Sequence, residues 1–293
     1  MELTSRPLLR PNWPLLYTAV AITTLATLLL ELSLAWISTV IFGRSTLPLA
    51  LAGLAAGALL ALFLAGPLYR QLGGVSLLTA GLVVVVLFFF TAQHALYLAA
   101  VLPFAGAGFA LVRAAAETVE HAERVYCFAF LGGAGGCLVL VLLFNTFGGP
   151  ATVIAAAVLF ASAAAIWFSL GGYKAGRIAS VAAGLFLTMM VVANVKGRFV
   201  EVGRAHLAIP GDRGLTALFA VLLSAALGSL LSAAVLRADR RRFAAALGAS
   251  AVLAIAVAPG TAQVTLFLIA PAGFLLGLAL PAGTRLVRPA ASA

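Results

Sequence analysis

Ten long apolar runs, separated by short stretches rich in Gly, Pro or charge, make up almost the whole chain. Each run is close to the roughly 20 apolar residues that a membrane-spanning helix needs. Residues 75–112 are nearly uninterrupted, but one helix of that length would reach about 57 Å, well beyond a hydrocarbon core of about 30 Å, so we predict a turn at 91–94. The predicted spans are Leu15–Phe42, Leu47–Tyr69, Val75–Phe90, Ala95–Val112, Val125–Phe147, Ala151–Leu170, Ile178–Val195, Leu215–Leu236, Phe243–Ala258 and Gln263–Val287.

The composition agrees with this pattern. Hydrophobic residues make up 64% of the chain and charged residues 9%, whereas an ordinary soluble domain is about 25% charged. These values exclude a water-soluble globule and predict an all-α, polytopic membrane helical bundle embedded in lipid. The net charge of +10 does not indicate nucleic acid as a partner, because the basic residues lie singly or in small groups between the apolar runs.

The distribution of Lys and Arg predicts the orientation of the bundle. If the N-terminus is cytoplasmic, 13 of the 18 basic residues fall on the inner face and five on the outer face, as the positive-inside rule requires. Both termini are therefore predicted to be cytoplasmic, in a multi-pass protein of the bacterial inner membrane. The predicted regions are a tail at 1–14, seven spans at 15–195, a periplasmic loop at 196–214, three spans at 215–287 and a tail at 288–293.

Glu31 is the one acidic residue well inside a predicted span. An ionised carboxylate there is costly unless it is paired, and no Lys or Arg lies at matching depth in another predicted span. One interpretation is a proton or cation site. The other, which we favour at this stage, is a protonated Glu that is hydrogen-bonded to a neighbouring helix and fixes its packing.

We predict no catalytic residue, no metal site and no cofactor. The Cys127 and Cys137 side chains are ten residues apart in one apolar run, about 15 Å along a helix, which is too far for a disulfide. The run LGGAGGC at 131–137 lacks the GxGxxG pattern of a nucleotide loop. The three His residues are scattered and form no cluster of metal ligands: His94, His121 and His206.

Glycines recur at a spacing of four residues in three predicted spans. In lipid, such small residues let two helices approach closely. We predict that they pack helices within the chain, although an exposed face for a partner subunit remains open as an alternative. The pairs are Gly53 with Gly57, Gly132 with Gly136, and Gly273 with Gly277, and Gly228 with Ser232 is a variant of the pattern.

Two loops carry the candidate contacts for a partner protein. The predicted outer loop, Lys196–Gly214, includes Arg198, Arg204 and Arg213, and the predicted inner loop at 113–124 begins with Arg113 and ends with Arg124. These arginines could pair with acidic groups of a partner. Charges that alternate at helical spacing are also typical of an ordinary solvated surface.

Three stretches resemble the membrane region of bacterial membrane-bound spermidine synthase-like proteins. These are residues 28–60, with Glu31, Gly53 and Gly57; residues 103–150, which include ERVYCFAFLGGAGGC; and two motifs near the end, LGSLLS at 227–232 and GLALPAGTRL at 277–286. The resemblance implies a helical membrane fold. Relatives tend to carry an Arg and an Asp at the positions of Trp36 and Ala129, and commonly a soluble aminopropyltransferase-like domain, for which the segment at 196–214 is too short.

These patterns together predict a non-catalytic integral membrane subunit that anchors or scaffolds a partner in a heteromeric complex. A small-solute transporter or permease is the first alternative, although it would normally show several intramembrane polar groups or broken helices. A second alternative is the membrane half of a split spermidine synthase-like enzyme.

Overall fold

The computed structural model describes residues 12–42, 74, 75, 77–79, 81, 82, 122–198, 213–235, 240–257 and 262–287, and these are almost entirely α-helical with no strand among them. Residues 74, 75, 77–79, 81 and 82 are helical. Seven helices have defined bounds in the described ranges. They are α1 (Trp13–Phe42), α2 (Ala122–Phe147), α3 (Gly149–Gly171), α4 (Lys174–Arg198), α5 (Arg213–Val235), α6 (Arg240–Val257) and α7 (Ala262–Val287).

The seven helices coincide with seven of the predicted spans, and no end differs by more than four residues. The largest differences are at α4, which begins at Lys174 and continues to Arg198. Long basic side chains can extend from a helix end toward the membrane surface, so a helix need not stop where the apolar run stops. The predicted loop at 196–214 is correspondingly shorter, because its two ends belong to α4 and α5. The predicted spans at 47–69 and 95–112 lie outside the described residues, and the span at 75–90 is described only in part.

Six of the described helices are long and apolar enough to cross a membrane, by length and composition. The exception is α6, whose 18 residues include Arg240, Arg241 and Arg242 in its first turn. Its length of about 27 Å is close to the thickness of a hydrocarbon core, but the three arginines belong at the membrane surface. The chain is therefore a multi-pass membrane protein.

The described helices pack side by side in the order α4, α3, α1, α2, α5, α7, α6. The middle of this row is the most deeply buried part. Trp167 and Phe160 of α3 and Leu29 and Leu30 of α1 have no exposed surface, and they belong to one hydrophobic cluster that also includes residues of α2. At the edge, α4 packs mainly against α3.

Two tight turns connect the central helices. Gly148 (φ 81°) lies between α2 and α3, and Gly172 (φ 76°) ends α3. A positive φ suits glycine, which has no Cβ to clash with the backbone. After Gly172 the backbone N–H of Tyr173 donates to the carbonyl of Phe168 at 2.9 Å, and that of Gly172 donates to Ser169 at 3.2 Å. These two hydrogen bonds form a Schellman cap, which ends the helix and reverses the chain direction into α4.

Close contacts at glycines show the relative directions of the helices. A Cβ on Gly132 would collide with the carbonyl oxygen of Ala21, and one on Gly136 would lie 3.0 Å from that of Leu25. The contact advances along both helices together, so α1 and α2 are parallel. The same comparison makes α5 and α7 parallel, because Gly273 lies against Val221 and Gly277 against Ala225.

Two further neighbouring pairs, α3 with α4 and α6 with α7, are antiparallel. In α4, Gly176 lies against Phe168 and Gly184 against Ala161, so the contact moves backwards along α3 as it advances along α4. In α6, Ser250 bonds to Ala272 and Phe243 lies near Gly283, so α6 and α7 are antiparallel as well.

Candidate functional site in the helical bundle

Glu31 lies at the end of a buried polar row on α1. Thr23, Thr27 and Glu31 are four residues apart, a spacing that places them on one side of the helix. Their relative exposures are 0%, 1% and 6%. At 1.5 Å per residue, Glu31 is about 27 Å along α1 from Trp13 and about 17 Å before Phe42. The carboxyl group is therefore deep within the bundle, as the sequence predicted.

The hydroxyl groups of this row are bound to the protein. Thr23 donates to the carbonyl of Ala19 at 2.7 Å, and Thr27 donates to the carbonyl of Thr23 at 2.8 Å. The indole N–H of Trp167 in α3 donates to the Thr23 hydroxyl at 3.1 Å. The hydrogen bond at Thr23 therefore connects α1 to α3. Thr23 and Thr27 both donate to their own helix and not to Glu31.

Glu31 has an unsatisfied atom. Its Oε1 is buried and has no hydrogen-bond partner in the described part of the protein. The favoured sequence interpretation, a Glu hydrogen-bonded to a neighbouring helix, is therefore not supported for this oxygen. A buried polar atom left unpaired costs about 1–3 kcal/mol, so such an atom calls for a specific explanation.

The predicted glycine pairs that fall in described helices lie inside the bundle. Gly132 and Gly136 face α1, where a side chain at either position would meet backbone atoms. Gly273 and Gly277 face α5 in the same way, and Gly228 of α5 faces the backbone of α7. These contacts occupy the small-residue faces, so they are not available to a partner subunit. Gly53 and Gly57 lie outside the described residues.

Serines of α5 add hydrogen bonds to the α5–α7 contact. Pro281 has no N–H, so it cannot donate to the carbonyl of Gly277 four residues earlier in α7. The Ser229 hydroxyl lies 3.2 Å from that carbonyl oxygen and 2.9 Å from the carbonyl oxygen of Ala225 in its own helix, and it shares its one proton between the two. Ser232 donates to the carbonyl of Leu278 at 2.8 Å. The carbonyl freed by the proline is therefore satisfied from the neighbouring helix.

A salt bridge joins α2 to α7. The Arg285 Nη2 lies 2.9 Å from the Glu123 Oε2, and both side chains are partly buried. Glu123 is in the first turn of α2 and Arg285 in the last turn of α7, so each charge also suits the dipole of its own helix. The pair places the start of α2 beside the end of α7.

Three of the five arginines that are candidate partner contacts lie in described helices. Arg124 is exposed in the first turn of α2. Arg198 is the last residue of α4, and Arg213 is the first residue of α5. Arg113 and Arg204 lie outside the described residues. The contact of these arginines with a partner therefore stays a prediction.

The described ranges contain no group of three or more His, Cys, Asp or Glu residues that could hold a metal ion. Cys127 and Cys137 are both buried and free. The LGGAGGC segment is part of the continuous helix α2 rather than a loop.

Several contacts in the site had no separate signal in the sequence. The Trp167–Thr23 bond joins residues that are 144 positions apart, and the Arg285–Glu123 bond joins residues that are 162 apart. The proline four residues after Gly277 is such a signal, because it leaves the Gly277 carbonyl without its helical donor and so indicates a hydrogen bond from another helix. Pro271 and Pro281 both lie inside α7.

Comparisons with protein-family models, with curated proteins and with solved structures give no match for this chain. The class that the fold defines is a multi-pass helical membrane protein. The resemblance to spermidine synthase-like membrane regions stays a prediction from sequence motifs.

Proposed function

We propose that this chain is a non-catalytic integral membrane subunit that anchors or scaffolds a partner protein in a heteromeric complex. The observation that carries the proposal concerns the buried hydroxyl groups. All nine Ser and Thr residues that are buried in the described helices donate to backbone carbonyl oxygens. These hydrogen bonds strengthen helices and helix contacts, and they leave none of the nine hydroxyl protons free to bind a solute.

The two sides of α4 differ in the size of their side chains, and neither side carries many polar groups. Its inner side, toward α3, carries Gly176, Ser180 and Gly184. Its outer side carries large apolar side chains, such as Leu185 (64% exposed) and Met189 (72% exposed). Small residues are typical of helix contacts in membranes, and large apolar residues suit lipid. We therefore assign the outer face of α4 to lipid and place the partner at the loops.

The proposed partner binds through the arginines of the predicted outer loop, with the inner loop that ends at Arg124 as a second contact. The proposal includes ten spans and two cytoplasmic termini in a bacterial inner membrane. The relative directions of neighbouring helices support it, because α1 with α2 and α5 with α7 are parallel, while α3 with α4 and α6 with α7 are antiparallel, as ten alternating spans require. The resemblance to spermidine synthase-like membrane regions without their soluble domain also supports an accessory role.

The test uses the tagged chain expressed in its own host at native level and isolated in mild detergent. Arg198, Arg204 and Arg213 are changed together to Ala. As a matched loss of three positive charges, Arg240, Arg241 and Arg242 at the start of α6 are changed to Ala in a control variant. The proposal expects a stoichiometric partner that is lost from the outer-loop variant and retained by the control. A partner lost equally from both variants would mean that the contact is not specific to the outer loop.

A small-solute transporter is the second candidate, and the buried carboxyl group of Glu31 favours it. Intramembrane carboxylic acids in transporters commonly mark a solute or proton path. This candidate expects the purified chain alone to move a solute into phosphatidylcholine liposomes and expects Glu31→Gln to abolish the movement. A copurifying soluble synthase would instead support the split enzyme.

A further inference from the structure

We infer that Glu31 is a reversible proton-binding site inside the bundle, at which the carboxyl group takes up and releases a proton. The inference goes beyond the proposed function, because the site would bind a proton whether the chain anchors a partner or moves a solute. Three observations support it: the burial of Glu31, the charges around α1, and the unpaired Oε1.

The described helices that pack against α1 offer no positive charge at the depth of Glu31. Of the described helices, α2 and α3 pack against α1, and α3 contains no ionisable residue. The described residues at 74–82, which include Leu77 of the same core cluster, contain none either. The ionisable groups of α2 are those of Glu123, Arg124, Tyr126, Cys127 and Cys137.

The only cation in this set is far from the carboxyl group. Gly136 of α2 lies against Leu25 and Leu28 of α1, which places Glu31 near the level of residue 140. Arg124 is about 16 residues earlier in α2, a separation of about 24 Å along the axis, and it is exposed. The Tyr and Cys side chains carry no positive charge in either protonation state. Among the described residues, an ionised Glu31 would therefore have no cation to compensate its buried charge, which favours the neutral, protonated form.

The same geometry explains why the proton is not locked in place. A structural carboxylic acid is normally held by hydrogen bonds on both oxygens, which fix its proton and its rotamer. The hydroxyls of Thr23 and Thr27 donate to backbone carbonyls, and Oε1 of Glu31 has no partner among the described residues. This oxygen keeps its capacity to bind a water molecule or another donor, and a buried acid exchanges its proton through such a group.

The experiment is infrared difference spectroscopy of the full chain in phosphatidylcholine nanodiscs as the pH is raised from neutral to alkaline. The expected result is one carboxylic acid C=O band at neutral pH that shifts in D₂O and disappears reversibly at alkaline pH. The band should be absent from Glu31→Gln and shifted in Glu31→Asp. Glu123→Gln removes a carboxyl group at the start of α2 and should leave the band unchanged.

Two results would overturn the inference. If no band at neutral pH depends on Glu31, the group is already ionised and a proton site is wrong. If the band persists at alkaline pH in folded protein, the proton is locked and the role of Glu31 is structural. Should Glu31→Gln fail to fold, the Glu31→Asp shift and ¹³C-labelled Glu still assign the band. Glu31→Lys should not fold, because it buries a positive charge without an acidic partner.

Discussion

Replacing Gly277 with Ala should weaken the contact between α5 and α7. The added Cβ would collide with the carbonyl oxygen of Ala225 and stand 2.7 Å from its Cα and carbonyl carbon. Carbon atoms attract best at about 3.5–4.0 Å, so the helices must separate locally by about 1 Å. Both backbones belong to regular helices, and neither can move aside as a flexible side chain would.

The size of the effect follows from three contributions. Overpacking of a close contact costs about 1–3 kcal/mol. Separation also weakens the hydrogen bonds from Ser229 and Ser232 to α7, which are worth about 0.6 kcal/mol each in a membrane protein. Ala returns up to about 1 kcal/mol through its better helix propensity. The expected net loss of stability is about 1–3 kcal/mol.

The matched control is Gly248→Ala on α6, where an added Cβ meets nothing within 4 Å. This variant should be as stable as the unaltered protein or more stable by up to about 1 kcal/mol. Both variants would be unfolded reversibly by increasing the fraction of dodecyl sulfate in mixed micelles, with helix content followed by circular dichroism. Equal stability of the two variants would refute the packing argument.

Two further predictions concern the ends of the helices. A double-mutant cycle with Glu123→Gln and Arg285→Met should give a coupling energy of about 0.5–1.5 kcal/mol in the same unfolding assay, because the pair is partly buried and well aligned; a coupling near zero would mean that the contact does not stabilise the bundle. A reporter enzyme that is active only in the periplasm should stay inactive when fused after Ala293, because the 13-to-5 distribution of basic residues predicts a cytoplasmic end; strong activity there would contradict the ten-span topology.

The helices themselves were predictable, because a helix that spans lipid needs a long run of apolar residues, which is visible in the sequence. Every residue on the surface of a spanning helix must be apolar, so each helix appears as a long run rather than as a faint periodicity. The ends were less predictable. Lys174 and Arg198 belong to α4 although they are charged, because basic side chains can reach the membrane surface from within a helix.

The choice of neighbours was not predictable from one sequence. Glycine pairs at a spacing of four indicated close helix contacts, but the pattern does not say which helix fills the space beside Gly132 or Gly277. Likewise, the burial of Glu31 followed from its position in an apolar run. Its unpaired oxygen did not, because that depends on Thr23 and Thr27 donating to their own helix and on an α3 without ionisable residues.

The proposed function is tested most directly by the mass of the particle that the tagged chain forms in its own membrane, extracted with the surrounding lipid and without detergent exchange. The chain alone has a mass of 29.9 kDa. The account predicts a particle that contains this chain and a second, different polypeptide in fixed stoichiometry, with the second polypeptide lost when Arg198, Arg204 and Arg213 are changed to Ala. A particle that contains only copies of this chain would contradict it.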